Sequence, residues 1–348
     1  MSLAAFDCKP GGSHRRPLQG LVRAFAARRT ISLLALALTT SLAAAQELPQ
    51  KTITIVVGFV AGGGADTAAR IIGRKLSENL RQNVIVDNRA GAGGNIAHQY
   101  VATAAADGSI ILLGSVGPLA VAPHLMKVGY DPQKDLAPLT MGVTFPNVLV
   151  VHSGLGVKTL AEYVALAKAK PGGLEFASTG AGSASHLAGE LFNARAGVEI
   201  VHIPYKGGAQ AMQDLLSGRI ASYFSVPATA EPHIESGKLI PLATTGLTRP
   251  AFMSQVPTVA ESGYPGFNAT NWYAFVAPGK TPVPILDRWN RELVKALNDP
   301  EVKDELMKRG LIPTPMTRDE LARFIAAESA TWEKVIRERK ITANRVPP

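Results

Sequence analysis

Two short segments of the sequence combine residue types that bind an anion without a cationic side chain. Segment 62–66, Gly-Gly-Gly-Ala-Asp, follows a β-branched run and precedes a stretch whose apolar residues recur at spacings of three and four. Glycine lets a ligand approach the backbone closely, and the first turn of a helix presents N–H groups at the positive end of the helix dipole. Segment 178–186, Ser-Thr-Gly-Ala-Gly-Ser-Ala-Ser-His, offers hydroxyls and amides between another strand and helix. Both segments predict a site for a small carboxylate.

Nucleotide binding and purely structural roles are the alternatives for these two segments. A nucleotide loop requires Gly-Lys-Ser/Thr after its glycines, and a dinucleotide loop requires a further glycine, whereas Thr67 and Ala68 follow Asp66. The first segment could still be a tight turn in which Asp66 caps its own helix. In the second segment, Ser183 or Ser185 could serve as a helix cap, a role that is compatible with ligand binding.

Further candidates lie at the ends of other strands, because ligands of open parallel sheets bind beyond the carboxyl ends of the strands. Ser115 ends the third predicted strand, and Ser225 and Pro227 end a later one and are expected to line the floor of the cleft. Tyr205 lies in a strand-to-helix loop, where it either closes over a ligand or packs between loops. The predicted ligand-binding residues are Phe59, Gly62, Gly63, Gly64, Ala65, Asp66, Ser115, Ser178, Thr179, Ala181, Gly182, Ser183, His186, Tyr205, Ser225 and Pro227.

Patterns for catalysis or metal binding are weak in this sequence. His186 and Glu190 are four residues apart, as a metal-binding pair on one helix face would be, but such a pair is more often a surface or capping pair. The sequence has neither a His-Glu-x-x-His motif nor a Gly-x-Ser-x-Gly elbow. The single cysteine, Cys8, lies in the predicted leader. We therefore predict no catalytic residue, no metal and no cofactor, with a triad assembled in space as the alternative.

The formal net charge of +9 is concentrated at the N-terminus. Residues 1–45 carry six cations against one acid, a net charge of +5, so the rest of the chain carries +4 without a basic run. A nucleic-acid binder would collect its cations on one stripe. The charge distribution therefore argues against a nucleic-acid partner.

The same N-terminal residues have the pattern of a secretory signal peptide. Two arginines precede an apolar run of 12 residues, 31–42, and alanines follow as far as Ala45. The run is too short to span a membrane, which needs about 20 residues, although an anchor or a buried helix is the alternative. We predict cleavage after Ala45 and a soluble periplasmic protein.

Strand-like and helix-like runs alternate along most of the remaining sequence. This alternation predicts an α/β protein with mostly parallel sheets that are covered by helices on both faces. Two apolar extended stretches, 145–151 and 271–276, interrupt the alternation and are interpreted as crossings between two lobes. The predicted first lobe comprises residues 46–146 and 272–348, and the second comprises residues 147–271.

Five segments in order resemble the motifs of a known family. They are residues 58–66, 86–96, 178–192 and 202–207, and residues 259–267 ahead of Trp272. Together they resemble the tripartite tricarboxylate transporter receptors, also called Bug proteins after the Bordetella uptake genes. The resemblance implies a type II periplasmic-binding-protein fold with the ligand cleft between the lobes. It also implies a carboxylated or amide-bearing ligand that is held by backbone amides, hydroxyls and ordered waters.

The sequence departs from the family pattern at a few positions. Val60 and Ala61 occupy positions where proline is frequent, Ser225 a position where an acidic residue is common, and Tyr273 a position where glycine often follows the tryptophan. Because of the last two departures, we transfer no ligand identity from the family.

The function expected from the sequence is that of a hinged trap that performs no chemistry on its ligand. A monomeric receptor captures a small organic acid or amide and, as the resemblance implies, delivers it to a two-component integral-membrane permease. The alternative partner is a signalling protein that senses the ligand-bound receptor. A hydrolase or isomerase on the same scaffold is a further alternative.

Overall fold

The structure is a computed structural model that describes residues 48–339 and 341–342. The predicted leader and its cleavage site lie outside the described residues. The strands are β1 (Ile53–Val57), β2 (Val84–Asn88), β3 (Ile110–Ser115), β4 (Leu136–Pro146), β5 (Val148–His152), β6 (Glu175–Ser178), β7 (Val201–Pro204), β8 (Ser222–Ser225), β9 (Leu239–Thr244), β10 (Thr270–Pro278) and β11 (Ile312–Pro313). The α-helices are α1 (Gly64–Leu80), α2 (Asn95–Ala102), α3 (Ala122–Leu125), α4 (Leu160–Ala169), α5 (Ala184–Ala196), α6 (Gly208–Leu216), α7 (Pro227–Glu235), α8 (Val283–Asn298), α9 (Pro300–Met307) and α10 (Arg318–Arg339).

The strands form two sheets that share a five-strand arrangement, to which the first sheet adds the edge strand β11. The first sheet has the order β11-β4-β10-β3-β1-β2 and the second has the order β7-β6-β8-β5-β9. In the first, β1 pairs parallel with β2 and β3, and β10 is inserted antiparallel between β3 and β4. In the second, β6 pairs parallel with β7 and β8, and β5 is inserted antiparallel between β8 and β9. Most strands of each sheet therefore point in one direction, as the alternating sequence pattern predicts.

The two inserted strands are those that follow a passage of the chain from one sheet to the other. The chain leaves the first sheet at Pro146 and enters the second at Val148, and it returns at Thr270. Between these points the Asn147 N–H donates to Thr245 Oγ1 over 2.9 Å, and the Asn147 carbonyl accepts from the Thr245 N–H over 2.9 Å. Asn271 Nδ2 of the returning passage also donates to Asn147 Oδ1 of the outgoing one over 3.2 Å, so the two passages lie side by side, and we call them the hinge. The exact lobe boundaries, 146/147 and 271/272, stay a prediction.

Helices cover the sheets because their apolar residues recur on one face. In α1 the residues Ala68, Ile71, Ile72 and Leu76 are buried against the first sheet. Trp289 of α8 is fully buried against the same sheet, and its Nε1–H donates to the Gly108 carbonyl over 2.9 Å. The first sheet therefore packs against an apolar layer that holds its strand ends in fixed positions. Among the described residues, none of the helices combines the length and apolarity needed to cross a membrane.

Candidate functional site

A cavity lies between the two sheets, and residues of both lobes line it. From the first lobe the lining residues are Phe59, Gly63, Gly64, Ala65, Ser115 and Tyr273. From the second lobe they are Thr179, Ala184, Ser185, Gly208, Tyr223, Phe224, Val226 and Thr229. Asn147 and Asn271 line the cavity at the hinge. Within the part of the chain that the structure describes, every lining side chain is uncharged.

The cavity is small because the lobes are in contact around it. Its volume is about 30 Å³, which is room for about two water molecules. An organic acid of several carbon atoms requires more space. The lobes must therefore separate for such an acid to enter, and the lining must rearrange around the acid once it is held.

The first turn of α1 forms one wall of the cavity. Gly63 is the N-cap residue with extended backbone, and no described side chain caps this turn. The peptide N–H groups of a first turn have no partner within their helix, and the helix dipole makes this end positive. The segment around Gly64 and Ala65 is therefore suited to receive an anion, as the glycine-rich sequence predicts.

Gly62 and Asp66, which the sequence also predicts as ligand-binding residues, lie outside the cavity lining. The Asp66 carboxylate accepts from the Gly62 N–H over 3.0 Å, from Arg70 Nε over 2.9 Å and from Asn88 Nδ2 over 3.0 Å. Burial raises the pKa of Asp66, but the bonds from Arg70, Gly62 and Asn88 outweigh burial and hold the pKa below its usual value. Asp66 thus stays ionised. Its bonds to Arg70 and to the Gly62 N–H stabilise the loop that precedes α1.

The loop of segment 178–186 uses its amides internally. Four of its N–H groups donate to side chains of the same segment: Thr179 to Ser185 Oγ (3.0 Å), Gly180 to Ser178 Oγ (3.0 Å), Gly182 to His186 Nδ1 (3.2 Å) and His186 to Ser183 Oγ (3.4 Å). Of the residues predicted here, Thr179 lines the cavity, whereas Ser178, Ala181, Gly182, Ser183 and His186 do not. The segment instead presents the start of α5 to the cavity, through Ala184 and Ser185.

Two further helices begin at the cavity. Helix α6 begins at Gly208 and α7 at Pro227, and among the described side chains none caps either first turn. Gly208, Val226 and Thr229 line the cavity. Together with α1 and α5, four helices from both lobes therefore begin at this cavity, and its described lining side chains are uncharged. In the sequence, the start of α6 is marked by Gly207 and Gly208 at a strand-to-helix junction.

The remaining predicted residues lie beside the cavity and not in its lining. The Tyr205 hydroxyl donates to Asp214 Oδ2 over 2.8 Å, and burial followed by this bond raises the pKa of Tyr205 to about 12. The Ser225 hydroxyl donates to the Val226 carbonyl over 3.1 Å, and Pro227 is the first residue of α7. These three residues support the loops around the cavity.

Glycines allow the two lobes to meet at the rim of the cavity. A Cβ atom placed on Gly117 of the first lobe would lie 2.5 Å from the Gly182 carbonyl oxygen and 3.1 Å from Ser183 Cα of the second lobe. A Cβ on Gly64 would lie 2.6 Å from Val226 Cγ1 across the same gap. Real Cβ atoms do not approach other atoms this closely, so the observed contact of the lobes depends on these glycines.

A stacked pair of histidines supports the second-lobe loop: His186 is buried and His202 is half-buried. The rings of His186 and His202 stack with centroids 4.1 Å apart, and His202 Nε2 lies 2.5 Å from Ser178 Oγ. Burial lowers the pKa of His186 to about 4. Burial, together with the neighbouring His186, lowers the pKa of His202 to about 3. In the first lobe burial also lowers the pKa of His98 to about 4. All three rings are therefore neutral at pH 7.

We expect acidification to destabilise the protein through these histidines. Their pKa in the unfolded chain is about 6.5. Below about pH 6.5 the unfolded state therefore binds protons that the folded state does not bind. The contribution of these histidines to the free energy of unfolding is complete above about pH 6.5. It declines as the pH falls toward 3–4, by about 1.4 kcal/mol per pH unit for each histidine that is protonated only in the unfolded state. Urea unfolding at pH 7.0, 5.5 and 4.5 measures the decline. The variant His202→Phe should show a shallower slope, and an equal free energy of unfolding at all three pH values would contradict the expectation.

Sequence comparison identifies a family that matches most of the chain. The sequence model described as the tripartite tricarboxylate transporter family receptor matches residues 68–341. Protein BugT of Bordetella pertussis is 41% identical over 297 residues, which are 84% of this chain and 91% of BugT. The resemblance drawn from the five sequence motifs is confirmed.

Solved structures with the same fold contain bound acids. The structure of R. palustris Rpa4515 with adipate has a TM-score of 0.82 and 35% identity, and the match covers 85% of this chain and 99% of that one. The structure of MatC from Rhodopseudomonas palustris with bound malate has a TM-score of 0.79 and 30% identity, and covers 83% and 99%. The predicted two-lobed periplasmic-binding-protein fold is confirmed.

Proposed function

Because the chain belongs to the tripartite tricarboxylate transporter receptor family, a class of solute-binding receptors, we propose that it captures a small organic carboxylate in the periplasm and delivers it to a membrane permease. One observation carries the proposal: four helix N-termini of two lobes surround a cavity whose described lining is uncharged. Helix N-termini attract anions, and an uncharged, closable cavity strengthens that attraction by excluding water.

The expected affinity follows from a few hydrogen bonds. A hydrogen bond to a charged group contributes about 1.5–3 kcal/mol. Carboxylate oxygens that accept from amides of both lobes could form several such bonds, and micromolar affinity corresponds to about −8 kcal/mol. The bonds to each lobe are completed when the lobes close, so the ligand stabilises the closed state.

The ligands of structural neighbours support the chemical class. Rpa4515 was solved with adipate and MatC with malate, and both compounds are dicarboxylates. Delivery to a permease is supported by the family description, and location in the periplasm by the signal-peptide pattern before Ala45. We expect the mature receptor to be monomeric.

One serine–histidine pair among the described residues, Ser178 and His202, is poorly placed for catalysis. Ser178 Oγ lies close to His202 Nε2, as a serine nucleophile and its base would. However, Ser178 is fully buried, does not line the cavity and accepts from the Gly180 N–H. The pair therefore supports the loop, and we propose that the ligand is released unchanged.

Calorimetry with purified mature protein tests the function. The panel contains monocarboxylates and dicarboxylates of two to eight carbons, their primary amides, and amino acids. We expect at least one acid to bind with a Kd of about 1 µM or below, and mass spectrometry should recover it unchanged after incubation. Absence of binding across all acids at millimolar concentration, or the appearance of a product, would contradict the proposal.

A further inference from the structure

Two buried polar groups of the cavity lining lack a partner. Ser115 at the end of β3 is 4% exposed, and Asn147 at the hinge is 0% exposed. Neither Ser115 Oγ nor Asn147 Nδ2 has a hydrogen-bond partner among the described residues, and both residues line the cavity. Buried polar groups are nearly always paired in native proteins. These two groups therefore point to a partner that is supplied by a ligand.

The orientation of the Asn147 side chain is fixed by its neighbours. The Trp272 backbone N–H, which can only donate, donates to Asn271 Oδ1 over 2.8 Å. The other end of that amide, Asn271 Nδ2, then donates to Asn147 Oδ1 over 3.2 Å. The oxygen of Asn147 is thereby occupied, and its NH₂ group is the end left for a ligand.

We propose that Asn147 and Ser115 select a ligand that carries, besides the captured carboxylate, an oxygen that accepts a hydrogen bond: a second carboxylate, a hydroxyl or a carbonyl. This inference rests on the proposed capture of a carboxylate and specifies the far end of the same ligand. An ammonium group at that end is disfavoured, because the amide presents a donor and the described lining contains no acidic side chain to receive a cation. A methyl group at that end leaves both protein groups unpaired.

The first part of the test compares ligands that differ only at the far end. The four-carbon set is succinate, 4-hydroxybutanoate, butanoate and 4-aminobutanoate, and the six-carbon set is adipate, 6-hydroxyhexanoate, hexanoate and 6-aminohexanoate. We expect the two oxygen-ended acids of the better-bound length to bind at least about tenfold more tightly than the methyl-ended and ammonium-ended acids. Equal affinity for all four end groups overturns the selection proposal while leaving carboxylate capture intact. Failure of every acid in both sets and in the wider panel overturns capture itself.

The second part of the test replaces each of the two unpaired groups in turn. Ser115→Ala removes a hydroxyl that has no partner in the described protein, so the Tm should stay unchanged while the preference for oxygen-ended acids falls. Asn147→Asp keeps the oxygen that accepts from Asn271 and replaces only the donor. We expect Asn147→Asp to reverse the preference, with at least about tenfold weaker binding of the oxygen-ended acids and tighter binding of the ammonium-ended acid. A structural role alone would weaken all ligands equally, and that result would overturn the proposal.

Discussion

Replacing Gly117 by alanine is expected to weaken ligand binding about ten- to a hundredfold without unfolding the protein. Gly117 has no positive φ, so alanine can adopt its backbone conformation. The added Cβ would meet the backbone of Gly182 and Ser183, which cannot turn aside as a flexible side chain can. Relieving such an overlap costs about 1–3 kcal/mol, and here the lobes can relieve it by staying apart. The overlap therefore destabilises the closed state by that amount, and the ligand affinity falls accordingly.

The matched control for this variant is Gly246→Ala. A Cβ on Gly246 would lie 3.4 Å from the Thr248 carbonyl oxygen and 3.5 Å from Pro146 Cβ, which is ordinary contact, and Gly246 does not line the cavity. Calorimetry gives the affinity of each variant, and small-angle X-ray scattering at saturating ligand gives the radius of gyration. We expect a larger radius for Gly117→Ala than for Gly246→Ala. Wild-type affinity in Gly117→Ala would show that the contact at Gly117 is dispensable for capture.

Replacing Ala184 by aspartate is expected to abolish measurable binding of an organic acid. Ala184 is the first residue of α5 and lines the cavity, so a carboxylate there would face the ligand's carboxylate and compete for the same helix N-terminus. Two like charges 4 Å apart repel by about 4 kcal/mol at an effective dielectric constant near 20, which is about a thousandfold in affinity. The fold should tolerate the change, because an acid in the first turn of a helix is stabilising by about 0.3–1 kcal/mol.

The variant Ala184→Asn separates charge from size. Asparagine has nearly the volume of aspartate and is neutral, so its affinity should stay within about tenfold of the wild type if charge decides. Thermal unfolding should give a Tm for Ala184→Asp that is at least that of Ala184→Asn. If both variants lose the same affinity, steric filling of the cavity explains the loss and the attraction of the helix N-termini for an anion does not.

Much of the architecture is readable from the sequence because it depends on local patterns. The alternation of β-branched runs and amphipathic stretches predicts the parallel strands, and the glycines at 62–64 predict the first wall of the cavity. The extended apolar composition of two stretches predicts the crossings between the lobes. These features follow from residues that are neighbours in the chain, so the local sequence contains the information.

The parts that the sequence does not reveal depend on pairing between distant segments. Asn147 and Asn271 are 124 positions apart, and each alone reads as an ordinary polar residue near a strand. From the sequence, the hydroxyls of Ser178 and Ser185 are equally suited to bind a ligand or to stabilise their own loop. In the structure they accept hydrogen bonds from the N–H groups of Gly180 and Thr179, so they stabilise the loop. The role of Gly117 likewise arises only when the second lobe comes to lie against it.

The most direct test of anion capture by two lobes is a crystal structure of the protein with a bound acid from the panel. We expect a carboxylate with oxygens about 3 Å from backbone N–H groups at the start of α1 in the first lobe. The same ligand should contact the start of α5, α6 or α7 in the second lobe. A carboxylate held by a lysine or arginine side chain, or by one lobe alone, would contradict capture by the helix N-termini of both lobes.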